Sequence, residues 1–398
     1  MTQSFEIMLR MFGCGALGTE YRCEKNNDID ADAVISLANS QGVWTVIYPV
    51  LSKICDVSSY RFRFLESVAN YVRRNEFTLN IIKKISDAGI DVCLLKGASS
   101  SMLYKNPDYR ISGDTDVLIN PSDEKKVKDI LLTCGYTLYK RTKNDHHLKA
   151  KHPVGGLLEV HLNLYSYVTE KILFNGKIEY NEEYIETEIY QKKVKVLGIN
   201  DNLNYLTAHY IKHFITGGAS IRQMMDLLLY MKKYEDKIDF EKYDSLMREL
   251  RYDKLIKAVK GVGVEYFGME FEDYDIESGK MILDDCEETG LFGKDAEFHS
   301  NIYSDFCENR KVVSDVKLKF INWFKYEQTI FDRIFPPKRI LIKRGYKYAN
   351  NTFLVPFAWI HNICDYCFSK KKSKQTDGLE NEKIKKRKEL VRKLNMIE

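Results

Sequence analysis

The chain has 398 residues, 44% of them hydrophobic and 30% charged, which is enough for two or three domains with true cores and too apolar for a disordered polymer. Its net charge is +4, yet residues 338–398 carry 16 Lys and Arg against 6 Asp and Glu, so the remainder is mildly acidic and argues against an extended nucleic-acid-binding surface. Nine scattered cysteines read as reduced thiols of a cytoplasmic protein, no apolar run is long enough to span a bilayer, and the first residues lack the basic start and apolar core of a signal peptide.

Residues 1–60 read as helical, with Ala33, Val34, Leu37 and Ala38 on one side of a helix and a second apolar patch from Trp44 to Leu51. They carry no recognisable chemistry and are expected to form a helical cap on the neighbouring domain. Tyr60 to Ala88 reads as one long helix with a broad apolar stripe, closed by Gly89.

The stretch from Leu94 to Ile119, LLKGASSSMLYKNPDYRISGDTDVLI, is the centre of the chain. An apolar run, Val92 to Leu95, predicts a buried strand. Lys96 and Gly97 break it, Ala98 to Tyr104 reads as a short helix, and Asn106 to Asp108 as a turn. After a second break at Ser112 and Gly113, Asp114-Thr115-Asp116 leads into the apolar strand Val117 to Ile119. Residues two apart in an extended chain project from one face, so Asp114 and Asp116 stand together and repel unless something positive lies between them. A hard divalent cation such as Mg²⁺ meets that need. Glycine lets the backbone approach a phosphate and Lys96 adds a point charge, while Arg110, just before the acidic pair, suits a triphosphate or a carboxylate such as Asp108 or Asp114.

Asn120 to Asp123 reads as a turn in which Ser122 caps a helix from Glu124 to Cys134, closed by Gly135. Tyr136 to Tyr139 is a short strand, and His147 to Lys151 and Leu157 to Leu164 pair as a hairpin around Pro153-Val154-Gly155-Gly156. Glu159 and His161 share the polar face of that last strand. Three acidic groups on neighbouring strands, after a glycine turn that opens a helix, form the pattern of a two-metal phosphoryl- or nucleotidyl-transfer site. Val194 to Ile199 reads as a final strand. Beyond Asn202 the pattern is helical to about Tyr266 and again from Ile302 to Ile334, with an acidic, loop-rich stretch from Glu270 to Glu288. His209 and His213 lie four apart without the zinc-helix motif, and Arg222 and Asp226 are spaced as an intrahelical ion pair.

These motifs resemble the polymerase-β-like nucleotidyltransferases, and more closely an uncharacterised bacterial branch. The likeness rests on Leu94-Leu95-Lys96-Gly97, Tyr104, Arg110, Asp114-Thr115-Asp116-Val117-Leu118 and Glu159-Val160-His161. The superfamily has Gly-Ser at the first turn, whereas this chain has Lys-Gly with Ser99 to Ser101 further on. The resemblance implies an α+β fold with a polymerase-β-like catalytic domain at 61–200, an N-terminal helical region at 1–60, a helical domain at 201–334 and a basic tail at 335–398. It implies Asp114, Asp116 and Glu159 as metal ligands and catalytic groups for two Mg²⁺ ions, with Mn²⁺ as a substitute. Lys96, Gly97, Ser99, Arg110 and Arg222 would bind the NTP, ATP among the candidates, and His161 would orient substrate. The activity implied is transfer of a nucleotidyl group to a small-molecule or glycan-precursor acceptor. Two rivals are a nucleotide-sugar-dependent glycosyltransferase, in which DxD would close an apolar strand rather than open one, and a non-catalytic nucleotide-binding or toxin–antitoxin module. The tail, with Trp359 and Tyr366 in an apolar stretch flanked by Lys347 and Lys370 to Lys372, either packs back on the body or touches an anionic membrane at the inner face. Cys364 and Cys367 form a lone CxxC without the second pair a zinc site needs.

Overall fold

Alternation along five central strands decides the architecture. A computed structural model describes residues 1–22, 29–139, 147–166, 168–216, 218, 220–290, 341, 346–351, 354–361 and 385–396. The chain divides into two units, Met1–Ala296 with Lys393–Met396, and Glu297–Arg392 with Ile397–Glu398. The first unit holds a seven-stranded mixed sheet in the order β3-β4-β5-β2-β1-β7-β6. Its strands are β1 (Val92–Lys96), β2 (Asp114–Ile119), β3 (Thr137–Leu138), β4 (His147–His152), β5 (Gly156–His161), β6 (Tyr184–Ile189) and β7 (Lys192–Leu197). β2 runs antiparallel to β1 and parallel to β5. The fold is α+β, as the sequence leads one to expect.

Successive side chains of a strand point to opposite faces. Val92, Leu94, Val117, Ile119, Leu148, Ala150, Leu158 and Val160 all point one way, into the main core. That core is closed by Leu79, Ile82 and Ile85 of α4 (Arg61–Asp87) and by Val127 and Leu131 of α6 (Glu124–Thr133). The opposite face begins apolar, with Cys93, Leu95, Leu118 and Leu197 packed on Tyr205 of α7 (Ile199–Thr216). Further across, at β2, β5 and β4, it carries Asp114, Asp116, Glu159, His161, His147 and Lys149. One apolar face and one half-polar face thus come from the same strands.

The helices α1 (Gln3–Leu17), α2 (Ala31–Ser40) and α3 (Trp44–Leu51) pack together and on α10 (Asp253–Phe267). Phe12 meets Phe267 edge to face at 5.7 Å. Between α7 and α10 lie α8 (Ile221–Lys233) and α9 (Phe240–Glu249), and α11 (Ile276–Thr289) comes after α10. Gln41 Nε2 donates to the Cys286 carbonyl at 2.7 Å, tying the first helices to α11.

Several local expectations need correction. The helix after Gly97 is one turn, α5 (Ala98–Ser101), not a run to Tyr104. Ser122 does not cap α6: the Asn120 carboxamide accepts from Ser122 N at 3.0 Å and opens a 3₁₀ turn, Pro121–Asp123, ahead of the helix. β6 has no counterpart in the sequence reading because its middle is solvent-exposed, and because its hairpin to β7 turns through Tyr190 and Gln191, both at positive φ, with no Gly, Asn or Asp to announce it. The acidic stretch from Glu270 contains α11, whose Asp275 cap accepts from Ser278 N and whose Ile282, Leu283 and Cys286 are buried. The helical stretch expected from Ile302 to Ile334 lies outside the described residues. In the second unit, Leu341, Val355 and Ala358 form a small core, while Leu354, Phe357 and Ile360 are exposed.

Gly97 has φ 87° and ψ −105°, a conformation open chiefly to glycine, and a Cβ there would lie 3.1 Å from the Asp114 carbonyl oxygen. Gly97→Ala is therefore expected to cost about 1–3 kcal/mol. Thermal unfolding should show the loss as roughly 2–4 °C per kcal/mol; an unchanged melting temperature would contradict it.

Candidate active site

The site is a row of charges written across four strands. A β-bulge lies between Leu94, opposite Val117, and Lys96, opposite Asp116. Leu94 faces the main core, and without the extra residue Lys96 would follow it there; the bulge re-aims the lysine toward the carboxylates. On the other side of β2, Asp116 pairs with Glu159, and Glu159 pairs with Lys149 of β4. The lateral order is Lys96, Asp116, Glu159, Lys149.

Asp116 is 1% exposed. Its Oδ1 lies 2.9 Å from His161 Nε2, and its Oδ2 is buried without a well-aligned hydrogen bond, facing Lys96 Nζ at 3.4 Å. Burial pushes this carboxyl upward, but Lys96 and His161 outweigh it and hold it below the usual range. Asp114, at the strand start, is more open, with Oδ2 3.8 Å from Lys96 Nζ. The positive group beside the two aspartates is thus a lysine. Glu159 accepts from Lys149 Nζ at 2.7 Å, and His147 Nε2 is 3.6 Å away. Burial lowers the His147 pKa, only partly opposed by Glu159.

Single ligand atoms of Asp116, Glu159 and His161 lie within 4.8 Å of one another, which a small cation can span. Two carboxylates suit Mg²⁺ or Mn²⁺, and an imidazole favours the softer of the two. The buried, poorly bonded Asp116 Oδ2 is the oxygen such an ion would satisfy, so these residues fit a divalent metal. Asp114 stands outside this cluster and is linked to it through Lys96.

A cleft opens beside the row, lined by Lys96, Gly97, Ser100, Ser112, Arg222 and Gln223 among others. Its wall is fixed by a buried ion pair. Arg110 donates to both oxygens of Asp226, through Nε at 3.1 Å and through Nη2, and Tyr104 Oη donates to Asp226 at 2.8 Å. Burial works against the Arg110 charge, but Asp226 dominates and raises its pKa. The partner of Arg110 is therefore Asp226, rather than Asp108 or Asp114, and Asp226 does not pair within its own helix with Arg222. Arg222 instead donates to the Ile111 carbonyl at 2.8 Å and leaves its buried Nε without a partner. Arg110 Nη1 is likewise buried and unpaired, so both guanidiniums keep donors that an anion in the cleft can use. Ser99 turns back to the Leu95 carbonyl at 3.2 Å, whereas its neighbour Ser100 lines the cleft.

Of the groups singled out in the sequence, Lys96, Asp114, Asp116, Glu159 and His161 come together on one sheet face, and Gly97, Arg110 and Arg222 line the adjoining cleft. Asp226, Lys149, Ser100 and Ser112 join them without having been singled out as site residues. Lys149 carries a usable signal, since it alternates in phase with His147 on a strand expected to pair with that of Glu159; Asp226 carries only its helical spacing from Arg222, and nothing in the sequence points to Arg110, 116 residues away, as its partner.

A family model described as an uncharacterised nucleotidyltransferase matches residues 27–268. The chain belongs to that family. The matched span contains every residue of the site and both walls of the cleft. Solved structures similar to the chain include the lincomycin-bound lincosamide antibiotic adenylyltransferase LnuA (16% identity, 39% of this chain and 94% of that one, TM-score 0.29). Others are the antibiotic-resistance factor ANT(2'')-Ia (11%, 45% and 92%, 0.33) and an antigenic nucleotidyltransferase-like protein from Paracoccidioides brasiliensis (16%, 42% and 77%, 0.27). No curated protein matches the chain.

The helix behind the site sets a pH dependence. His209 Nε2 lies 3.4 Å from Lys96 Nζ, and burial, reinforced by Lys96, holds its pKa well below the ordinary value. His213 is pushed down to about 4 by burial and by Lys96, Lys212 and Arg222, against a weaker opposing pull from Asp116. Both imidazoles are neutral when folded and take up protons on unfolding below the normal histidine pKa of about 6.5. Their contribution is fully present above that pH and is lost as pH falls toward 4, each unit of depression being worth about 1.4 kcal/mol. The urea midpoint of His213→Gln should thus fall less steeply than wild type between about pH 6.5 and 5; parallel curves would refute this.

Proposed function

We propose that this chain is a Mg²⁺-dependent nucleotidyltransferase, which moves a nucleotidyl group from an NTP, with ATP the first candidate, to a hydroxyl of a small-molecule or glycan-precursor acceptor. The observation that carries the reading is the register of Lys96, Asp116 and Glu159 on adjacent strands, beside a cleft whose two buried guanidiniums keep unused donors. Family membership and the position of DxD at the start of β2 favour it over a nucleotide-sugar enzyme. Two ions held by Asp114, Asp116 and Glu159 would neutralise charge developing on the transferred phosphoryl group and lower the pKa of the attacking hydroxyl.

The chain's own groups divide the remaining work. Lys96, Arg110 and Arg222 bind the triphosphate, and Gly97 lets its backbone approach closely. Ser99, bonded back to β1, supports that turn. His161 orients Asp116 and the substrate beside it. Glu159 takes the proton as the acceptor oxygen bonds to the α-phosphorus and the bond to the bridging oxygen breaks, releasing pyrophosphate. Outside the basic residues 338–398 the chain is mildly acidic, which does not call for an extended nucleic-acid partner. Among the described residues no helix is long and apolar enough to cross a membrane. The exposed Leu354, Phe357 and Ile360, in a tail rich in lysine, support peripheral contact of a cytoplasmic protein with anionic lipid. Full-length protein should float with phosphatidylserine vesicles at low salt and a Phe357→Ser/Ile360→Ser variant should not; equal flotation rejects the contact.

Asp116→Asn keeps size and removes charge. Pyrophosphate release should fall about 10³-fold, several kcal/mol of lost charge stabilisation, with the protein still folded by melting. Unchanged turnover would sink the metal assignment. Glu159→Gln should reduce turnover far more than NTP affinity, because its role is on the acceptor side. If affinity, measured by titration calorimetry, drops as much as the rate, that placement is wrong.

A further inference from the structure

A second cavity, about 320 Å³ with its open mouth, lies beside His161 and shares His209 with the first cleft. The first cleft meets Asp116 through Lys96, 3.4 Å from its Oδ2, and the second meets it through His161, 2.9 Å from its Oδ1. The two differ in chemistry. The first carries Lys96, Arg110 and Arg222. The second is walled by two tyrosine rings, Tyr165 and Tyr205, with centroids 6.3 Å apart, by the hydroxyls of Ser166 and Thr169, and by one cation, Lys212. Tyr165 Oη is buried without a hydrogen-bond partner, a cost an otherwise apolar wall would avoid and a bound polar molecule would remove.

We infer that this cavity is the acceptor subsite and that it takes a small, hydroxyl-rich molecule carrying an anionic group, of the sugar-phosphate class. The inference rests on the nucleotidyl-transfer reading. In phosphoryl transfer the attacking and leaving oxygens lie roughly in line through phosphorus. If the triphosphate occupies the cleft with three cations and the reacting phosphorus sits at the carboxylates, pyrophosphate departs toward Lys96. The attacking hydroxyl must then come from the His161 side, where the second cavity opens. Tyrosine rings offer flat apolar faces to the C–H surfaces of a sugar, and the Tyr165 hydroxyl offers a polar partner beside Ser166 and Thr169, which bond each other at 2.9 Å. Lys212 is the charge that selects an anion. Among the described residues lining the cavity there is no carboxylate, so a polycationic acceptor finds nothing to pair with there.

The test uses the full-length chain, calorimetry and thermal unfolding. Probes are the α,β-methylene analogues of the four NTPs with Mg²⁺, then glucose 1-phosphate, ribose 5-phosphate and inositol 1-phosphate, with kanamycin as a polycation and adenosine as a nucleoside. At least one sugar phosphate should bind wild type. Lys212→Met should weaken it about tenfold, the loss of one charge-assisted contact, and change NTP-analogue affinity by less than about twofold. Tyr165→Phe should weaken the same sugar phosphate while raising the melting temperature of the free protein, since an unpaired buried hydroxyl is removed. A hydroxyl that is simply unpaired would give the second effect without the first and overturn the assignment. It is equally overturned if the NTP analogue binds but no sugar phosphate does, if kanamycin binds in their place, or if Tyr165→Phe abolishes adenosine binding, which would make this the nucleoside pocket. Failure of every NTP analogue to bind wild type is a different result: it removes the nucleotidyl-transfer reading and this inference together.

Discussion

Two aspartates and a glutamate on one face of a sheet repel one another, and the site exists because cations are placed among them. Lys96 reaches both aspartates from β1, and Lys149 reaches Glu159 from β4. Burial makes this compensation compulsory for Asp116, since an unpaired carboxylate at 1% exposure would take up a proton rather than stay charged. His161 supplies the rest. The arrangement keeps the buried Asp116 carboxylate charged, as holding a divalent ion would require.

The same logic operates at the cleft wall. Asp226 on α8 joins Arg110, which precedes β2, and Tyr104, which lies beyond α5. Two segments more than a hundred residues apart thus meet at one carboxylate. Removing one partner of a buried pair costs about 3–5 kcal/mol, because the other is left charged and dry. The pair therefore fixes the cleft wall, and it holds Arg110 with its buried Nη1 unpaired. Arg222, one helical turn before Asp226, is held by a backbone carbonyl and keeps a donor in the same way. The charges that line the cleft and the charges that hold the helix to the sheet are the same groups.

Much of this was legible in the sequence. Apolar runs marked β1 and the end of β2 and alternation marked β5, so Asp114 and Asp116 could be placed together on one strand face and Glu159 and His161 on the polar face of another. Glycine at the end of β1 marked a turn, and the long apolar stripe marked α4. Less legible were features whose causes are not local. β6 is largely exposed and turns through non-glycine residues at positive φ; α11 hides in an acidic stretch because few apolar side chains, Ile282, Leu283 and Cys286 among them, are buried.

The sequence by itself determined which residues are charged, which strand faces they occupy and which family pattern they form, because alternation and turn chemistry act over a few residues. Tertiary structure alone decided which partners those charges meet. The bulge that turns Lys96 toward the aspartates, the choice of Asp226 as the partner of Arg110, the approach of His209 to Lys96 and the second cavity beyond His161 all depend on the packing of β1, α7 and α8. The contacts of Arg110 with Asp226 and of Lys96 with His209 join residues more than a hundred positions apart, and ion pairing is a matter of distance in space that no spacing along the chain encodes.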